Sequence, residues 1–232
     1  METTYRRTIE TVARDGGRSE RQEEMLKEYR LDLLVNGKNW KTCMCTCTDL
    51  EELVLGRLFE DGRIERMEEV KDCRIDEAGH RAEVVIEPVA GMKRTEQDRE
   101  PFAWEAEWVF SLADVFAQDT KLHRRTSCTH SCFLAERGTI LYASEDIGRH
   151  NAMDKAVGWA MKNGVFLEKC MLFTSGRVAS DMMKKVIRAG IPLVASNAAP
   201  TEEAVELAEE QGIVLVGAAK QNKMKIFCAG KP

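Results

Sequence analysis

The chain has 232 residues, of which 34 are Lys or Arg, 39 are Asp or Glu and 8 are Cys, and its net charge is −5. That length supports one large domain or two modest ones with a self-sufficient core, and 44% hydrophobic against 31% charged residues excludes a mostly disordered chain. The acidic balance argues against nucleic-acid binding through global charge, and neither a signal-peptide core nor a run of about 18 apolar residues for a membrane span is present.

With no export signal, a reducing cytoplasm is the expected compartment, and thiols there serve as nucleophiles or metal ligands more often than as disulfides. After a polar N-terminus, residues 28–47 read as two alternating runs joined by Asn36-Gly37, a strong hairpin signal. Thr48 and Asp49 offer caps for a helix whose apolar face is Leu50, Leu53, Val54 and Leu58, ending at Asp61-Gly62. Two strands are expected near Ile64–Ile75 and Arg81–Pro88, turning at Asp76–Gly79. The charged stretch Gly91–Glu107 carries little periodicity and reads as a mobile insertion.

From about residue 121 the texture changes. A hairpin over Ser131–Glu136 and Thr139–Ser144 turns at Arg137-Gly138 and leads into a helix over Gly148–Lys162. Strands at Cys170–Thr174, Ile191–Ser196 and Ile213–Gly217 then alternate with helices at Val178–Ala189 and Thr201–Gln211, and Met224–Cys228 forms a last arm. Such alternation predicts βαβ units and a mainly parallel sheet. The expected division is a smaller antiparallel α+β part over residues 1–120 and an α/β part over 121–232, with the boundary near 110–125.

Each strand of the second part runs into a polar turn: Ser144 to Asn151, Ser175-Gly176-Arg177, and Ser196 to Thr201. In a parallel sheet such turns gather at the carboxyl edge, where α/β folds bind ligands. Helix N-termini there suit phosphate, with Arg149, Arg177 and Lys155 as further cationic donors. No Walker loop or GxGxxG occurs, which disfavours a mononucleotide kinase or dinucleotide dehydrogenase.

The densest reactive cluster is residues 126–132, Thr-Ser-Cys-Thr-His-Ser-Cys. If this segment is extended, Cys128, His130 and Cys132 share one face, and Arg124 and Arg125 lie just upstream to favour a thiolate. That face suits persulfide chemistry or part of a metal site. Cys43, Cys45 and Cys47 also alternate, as buried packing or as a soft-metal or redox cluster. Cys73, Cys170 and Cys228 sit singly in apolar runs and read as core. HExxH, paired CxxC knuckles and the deaminase signature are all missing, so no hydrolytic zinc site is expected.

The run from Leu141 to Lys155, LYASEDIGRHNAMDK, resembles the EDVGRHNAxDK signature of the formate dehydrogenase accessory proteins, the FdhD/NarQ family. Cys45-Thr46 with Asp49 to Gly56 resembles that family's MCTPxDLEELxxGF. Thr129-His130, Ser175-Gly176-Arg177, Gly190-Ile191-Pro192, Ala199-Pro200-Thr201 and Leu215-Val216-Gly217 match in the same order, so the resemblance covers about residues 30 to 228.

The resemblance implies a cytidine-deaminase-like α/β domain behind a smaller N-terminal part, in a cytoplasmic homodimer. It implies a sulfurtransferase that accepts sulfur from a cysteine desulfurase. The sulfur passes as a persulfide to the molybdenum bis-molybdopterin guanine dinucleotide cofactor of formate dehydrogenase. It places cofactor contacts on Glu145, Asp146, Gly148, Arg149, His150, Asn151, Lys155, Ser175, Gly176 and Arg177, and on the loop Ala218, Ala219, Lys220, Gln221, Asn222 and Lys223. One departure stands out. The family carries its persulfide on a central CGxCG motif, but the interval from Gly91 to Lys121 has no cysteine, whereas Cys128 and Cys132 replace small residues of the family's TGGTHAA segment. The paired loss and gain assigns sulfur carriage to Cys128 or Cys132, with His130 beside them. The alternative is a chaperone that binds the cofactor without transferring sulfur. A metal or redox sensor on Cys43, Cys45 and Cys47 is a third reading.

Overall fold

In the computed structural model, which describes residues 2–89, 102–118 and 120–231, the polar N-terminus is a hairpin of β1 (Thr4–Val12) and β2 (Arg18–Leu26). The sequence gives no apolar alternation to announce it. Most of its side chains face water, and β1 and β2 form a sheet of two strands apart from the others.

β3 (Tyr29–Val35) and β4 (Lys38–Cys45) form the expected hairpin. Asn36 and Gly37 both take positive φ, 49° and 75°, as a two-residue turn matched to strand twist requires. α1 (Leu50–Glu60) follows. β5 (Val70–Asp76) begins later than expected because a short 3-10 turn occupies Met67–Glu69, and β6 (Arg81–Ile86) completes a sheet of order β4-β3-β6-β5. Leu31, Leu33, Cys43, Cys45, Ala82 and Val84 of this sheet join Leu53, Val54 and Leu58 of α1 in the larger core.

The stretch 91–107 lies outside the described residues as far as residue 101, and its end opens α2 (Ala106–Ala117), a helix the sequence reading did not assign. α3 (Lys121–Thr126) is a second unassigned helix. Arg125 of α3 anchors the N-terminal hairpin, pairing with Glu24, and Glu24 also accepts the Thr4 hydroxyl at 2.6 Å.

The second sheet is built as expected from β7 (His130–Glu136), β8 (Thr139–Asp146), β9 (Met171–Thr174), β10 (Leu193–Ser196), β11 (Val214–Lys220) and β12 (Lys223–Ala229), in the order β12-β11-β10-β9-β7-β8. β9, β10 and β11 are parallel, while β7 and β12 run antiparallel to their neighbours. The fold is therefore mixed α/β, with an antiparallel-rich sheet ahead of it.

α4 (Arg149–Lys162), α5 (Ser180–Ala189) and α6 (Glu202–Gln211) contribute Ala156, Val157, Met183, Val186, Ala204 and Ala208 to the same core as the first sheet. α5 and α6 pack against each other on one face of the second sheet. α2 covers the other, its Val109 and Leu112 packing with Phe133, Phe173 and Val216. Among the described residues no helix is long and apolar enough to cross a membrane.

α1 and α4 cross in backbone contact. A Cβ added at Gly56 would lie 1.9 Å from Asp154 O, and one at Gly158 would lie 1.9 Å from Glu52 O. Near this crossing Asp154 is fully buried, 2.6 Å from Arg57 Nε and paired with Lys185.

Beside this pair, burial pushes the Glu60 carboxyl from its ordinary 4.5 up to about 8, against the attraction of Lys185, and Glu60 Oε1 is enclosed without a hydrogen-bond partner. The folded chain thus holds a proton that the unfolded chain releases. The associated stability is present below pH 4.5 and lost as pH rises through about 8. Glu60→Gln is expected to flatten this decline, seen as urea midpoints that converge with wild type at low pH and exceed it above about pH 8.

Candidate functional site

β7 runs antiparallel to both β8 and β9, so the start of β7 lies at the edge where β8, β9, β10 and β11 end. A cavity of about 450 Å³ opens there, lined by Phe116, His123, Ser127, Cys128, Thr129, His130, Ile147, Ser175 and Asn197. This is the edge the strand–turn pattern points to. Of the residues named from sequence, Cys128, His130 and Ser175 line it. Asn197 of the third polar turn lines it as well, whereas His123 and Thr129 were not singled out as site residues. The available signal was a second histidine seven positions before His130 in the same polar run.

Cys128 is not in a strand. Ser127 caps α3 in the left-handed region with φ 50°, and β7 begins only at His130. Cys128 is the one cysteine of eight classed as exposed; the others are buried or half-buried, and all eight are free thiols. Cys132 is 1% exposed and packs in the core, where burial pushes its thiol up to about 12. The expectation of two accessible thiols flanking His130 is therefore corrected. One reaches the cavity and the other lies beneath the sheet surface, un-ionised at neutral pH.

His130 Nδ1 lies 3.0 Å from Ser175 Oγ, which also accepts the Ser131 N–H at 3.0 Å. The serine hydroxyl has a second acceptor site and one proton, so it engages Nδ1 in either tautomer of the ring. Burial, then Arg149 and His123, hold His130 below its ordinary 6.5, so it is neutral at pH 7 and supplies no cation. The arginines expected to favour a thiolate are engaged elsewhere: Arg125 with Glu24, Arg124 with the Gln118 carbonyl. His123 is oriented differently. Its Nδ1 lies 2.9 Å from Thr129 O, a pure acceptor, which leaves Nε2 as the basic nitrogen.

The chain matches the FdhD/NarQ family over residues 26–100 and 88–231. The chain belongs to the FdhD/NarQ family. Proteins named sulfur carrier protein FdhD are similar along most of its length. That of Halalkalibacterium halodurans is 30% identical over 237 residues, covering 89% of this chain and 87% of its own. That of Shouchella clausii is 29% identical over 236 residues, covering 88% of each. A crystal structure from Desulfotalea psychrophila, provisionally described as a formate dehydrogenase accessory protein, superposes with a TM-score of 0.87 at 26% identity over 98% of both chains. Two solved deaminases, the dCMP deaminase of cyanophage S-TIM5 and the guanine deaminase of Nitrosomonas europaea, align over 48% and 57% of the chain at TM-scores of 0.34 and 0.36, too low to carry an argument.

In this FdhD/NarQ chain the signature run is chiefly a seam between the two sheets. Lys155 Nζ is fully buried, 2.7 Å from Asp146 Oδ2, 2.6 Å from Thr46 Oγ1 and 3.1 Å from Glu145 O. Its three donors are spent, which corrects the expectation that Lys155 reaches phosphate. Asp146 also accepts Thr46 N, Asn151 Nδ2 and Gly148 N, the last two on Oδ1. Asn151 further donates to Met44 O and accepts from Arg57 Nη2, both at 2.7 Å. Glu145 binds the start of α3, and Arg149 and His150 face Asp181 at 3.8 and 3.0 Å. These residues order the edge from behind, whereas they were expected to face the ligand.

The last loop is also tighter than expected. β11 runs on to Lys220, Ala218 N–H donates to Ala198 O at 2.9 Å, and Ala219 is buried. Gln221, Asn222 and Lys223 are exposed, Lys220 bonds to the cavity residue Asn197, Arg177 is exposed, and Gly176 packs against Arg149. Cys43 and Cys45 point into the core with thiols raised by burial, while Cys47 lies past the end of β4, so the three do not share a strand face. Among the described residues no group of three His, Cys, Asp or Glu is placed to hold a metal ion.

Proposed function

We propose that this chain is a sulfurtransferase that serves formate dehydrogenase, carrying on Cys128 a persulfide sulfur taken from a cysteine desulfurase. The observation that carries the reading is the position of Cys128, the exposed thiol among eight cysteines and the one that lines the cavity at the carboxyl edge. The names of its relatives supply the activity, and the lack of a cysteine over residues 91–121 leaves the loop thiol as the carrier. The compartment proposed is the cytoplasm, since a thiolate carrier needs reducing surroundings, and the proposed state is the homodimer.

The sulfur goes to a molybdenum bis-molybdopterin guanine dinucleotide as cargo. The cavity lining bears on this choice. Ser127, Thr129, Ser175, Asn197 and the His130 ring offer neutral hydrogen-bonding groups alongside the apolar Phe116 and Ile147. That set and a volume near 450 Å³ suit one planar heteroaromatic ring, a guanine or a pterin, better than a phosphate. Lys220, bonded to the cavity residue Asn197, offers a cation for the phosphates outside.

The test is mass spectrometry after incubation with a cysteine desulfurase and cysteine. Wild type and Cys132→Ala are expected to gain one sulfur, about 32 Da, on the Cys128 peptide, and Cys128→Ser to gain none. Equal loading of Cys128→Ser, or no loading of wild type, overturns the proposal. Full support of formate dehydrogenase activity by Cys128→Ser in a strain lacking its own accessory protein establishes the cofactor-binding chaperone instead.

A further inference from the structure

We propose that His123 accepts the proton of the Cys128 thiol and that Glu145 positions the loop holding both, an inference that rests on Cys128 being the sulfur-carrying thiol. Four basic groups lie near Cys128 in the sequence, and the structure engages three of them elsewhere. Arg124 and Arg125 are turned to Gln118 O and Glu24. His130 is tied through Nδ1 to Ser175 Oγ, and burial and the nearby Arg149 disfavour its taking a proton. His123 has a defined tautomer, because Thr129 O, which can only accept, fixes the proton on Nδ1 and frees the Nε2 lone pair. His123 and Cys128 line the same cavity.

One carboxylate organises this loop. Glu145 Oε1 accepts His123 N at 2.8 Å and Thr129 Oγ1 at 3.2 Å, its Oε2 accepts Leu122 N at 3.0 Å, and Thr120 Oγ1 donates to it as well. These contacts bracket Cys128 on both sides, His123 before it and Thr129 after it. Glu145 itself is fixed by register, opposite Ser131 in the β7–β8 pair, and its carbonyl is tied to the buried Lys155. The loop is held by charged hydrogen bonds, which are stronger than neutral ones.

The step balances without an oxidant. The Cys128 S–H proton moves to His123 Nε2, and the thiolate attacks the outer sulfur of a donor persulfide, R–S–SH. A bond forms between the Cys128 sulfur and that outer sulfur as the donor's S–S bond breaks. The donor leaves as a thiolate that takes the proton back from His123. The sulfane sulfur changes carrier and not oxidation state.

The test is the rate of iodoacetamide alkylation of Cys128 in the full-length chain, read from its peptide mass. His123→Gln is expected to lower the rate about tenfold at pH 7 and to match wild type near pH 10, above the ordinary thiol range, where a base is no longer needed. Added imidazole is expected to restore the rate in His123→Ala. Glu145→Gln, which weakens the hold on the loop, is expected to fall between wild type and His123→Gln. Unchanged rates at pH 7, or a loss that persists at pH 10, overturn the proposal. His123 is half-buried in a short helix, so its variants decide the matter even if Glu145→Gln does not fold. Sulfur loading of the same samples separates the two readings. Histidine-dependent alkylation without loading refutes the sulfur carrier alone, and loading with histidine-independent alkylation refutes the proton acceptor alone.

Discussion

Lys155→Met is expected to destabilise the fold by about 3–5 kcal/mol, the range for removing one partner of a buried ion pair. Lys155 and Asp146 are both 0% exposed and 2.7 Å apart, so the ammonium is not replaced by bulk solvent. The penalty arises mainly from Asp146, left charged in the interior with the Thr46, Asn151 and Gly148 donors as its only compensation. Thr46 lies at the end of the first sheet and Lys155 in α4, so the loss is also a loss of the seam between the sheets. A surface pair provides the contrast. Lys162→Met breaks contacts of 2.7 and 3.0 Å to Glu51 and Glu52, but these are exposed or half-exposed, and the expected cost is at most about 1 kcal/mol. Urea unfolding of the two variants beside wild type checks both values, and equal shifts would contradict the assignment of the seam to Lys155.

Gly158→Ala is expected to cost about 3 kcal/mol, although in an exposed helix the same change is stabilising by up to about 1 kcal/mol. The new methyl would meet Glu52 O at 1.9 Å and Gly56 N at 2.7 Å, both main-chain atoms of α1 that no rotamer change can move. α1 must retreat from α4, and the Arg57–Asp154 pair and the Arg57–Asn151 hydrogen bond stretch with it. Gly56→Ala, facing Asp154 O at 1.9 Å, is expected to behave alike, and Gly164→Ala is not comparable because its φ is +65°. Thermal melts of the two crossing variants check this. A Tm at or above wild type for either would show that the helices are not held at backbone contact.

Much of the α/β part was legible because periodicity and turn chemistry agreed. Short apolar runs ended in polar turns, and Asn36-Gly37 and Arg137-Gly138 adopt the paired positive φ that their hairpins need. The N-terminal hairpin was not legible, since strands that face water on most sides show no alternation and are fixed here by backbone pairing and the Arg125–Glu24 contact. α3 was missed for a related reason. It is six residues long with one buried side chain, Leu122, and its start is capped by Glu145, twenty-odd residues away in sequence.

The site divided along the same line. Sequence alone determined that the binding edge lies where the strands end, that cysteines are concentrated around His130, and that the central family cysteines are missing, because these depend on residue type and order. Only the tertiary structure decided which thiol is reachable, since Cys128 and Cys132 differ in burial and not in pattern. It also decided that Lys155, Asp146 and Asn151 are turned inward. A charged residue in a polar turn reads the same whether it faces a ligand or a buried partner, and the partner here, Thr46, lies about a hundred residues away. Long-range pairing in a low-dielectric interior consumed the donors that the sequence offered to a ligand.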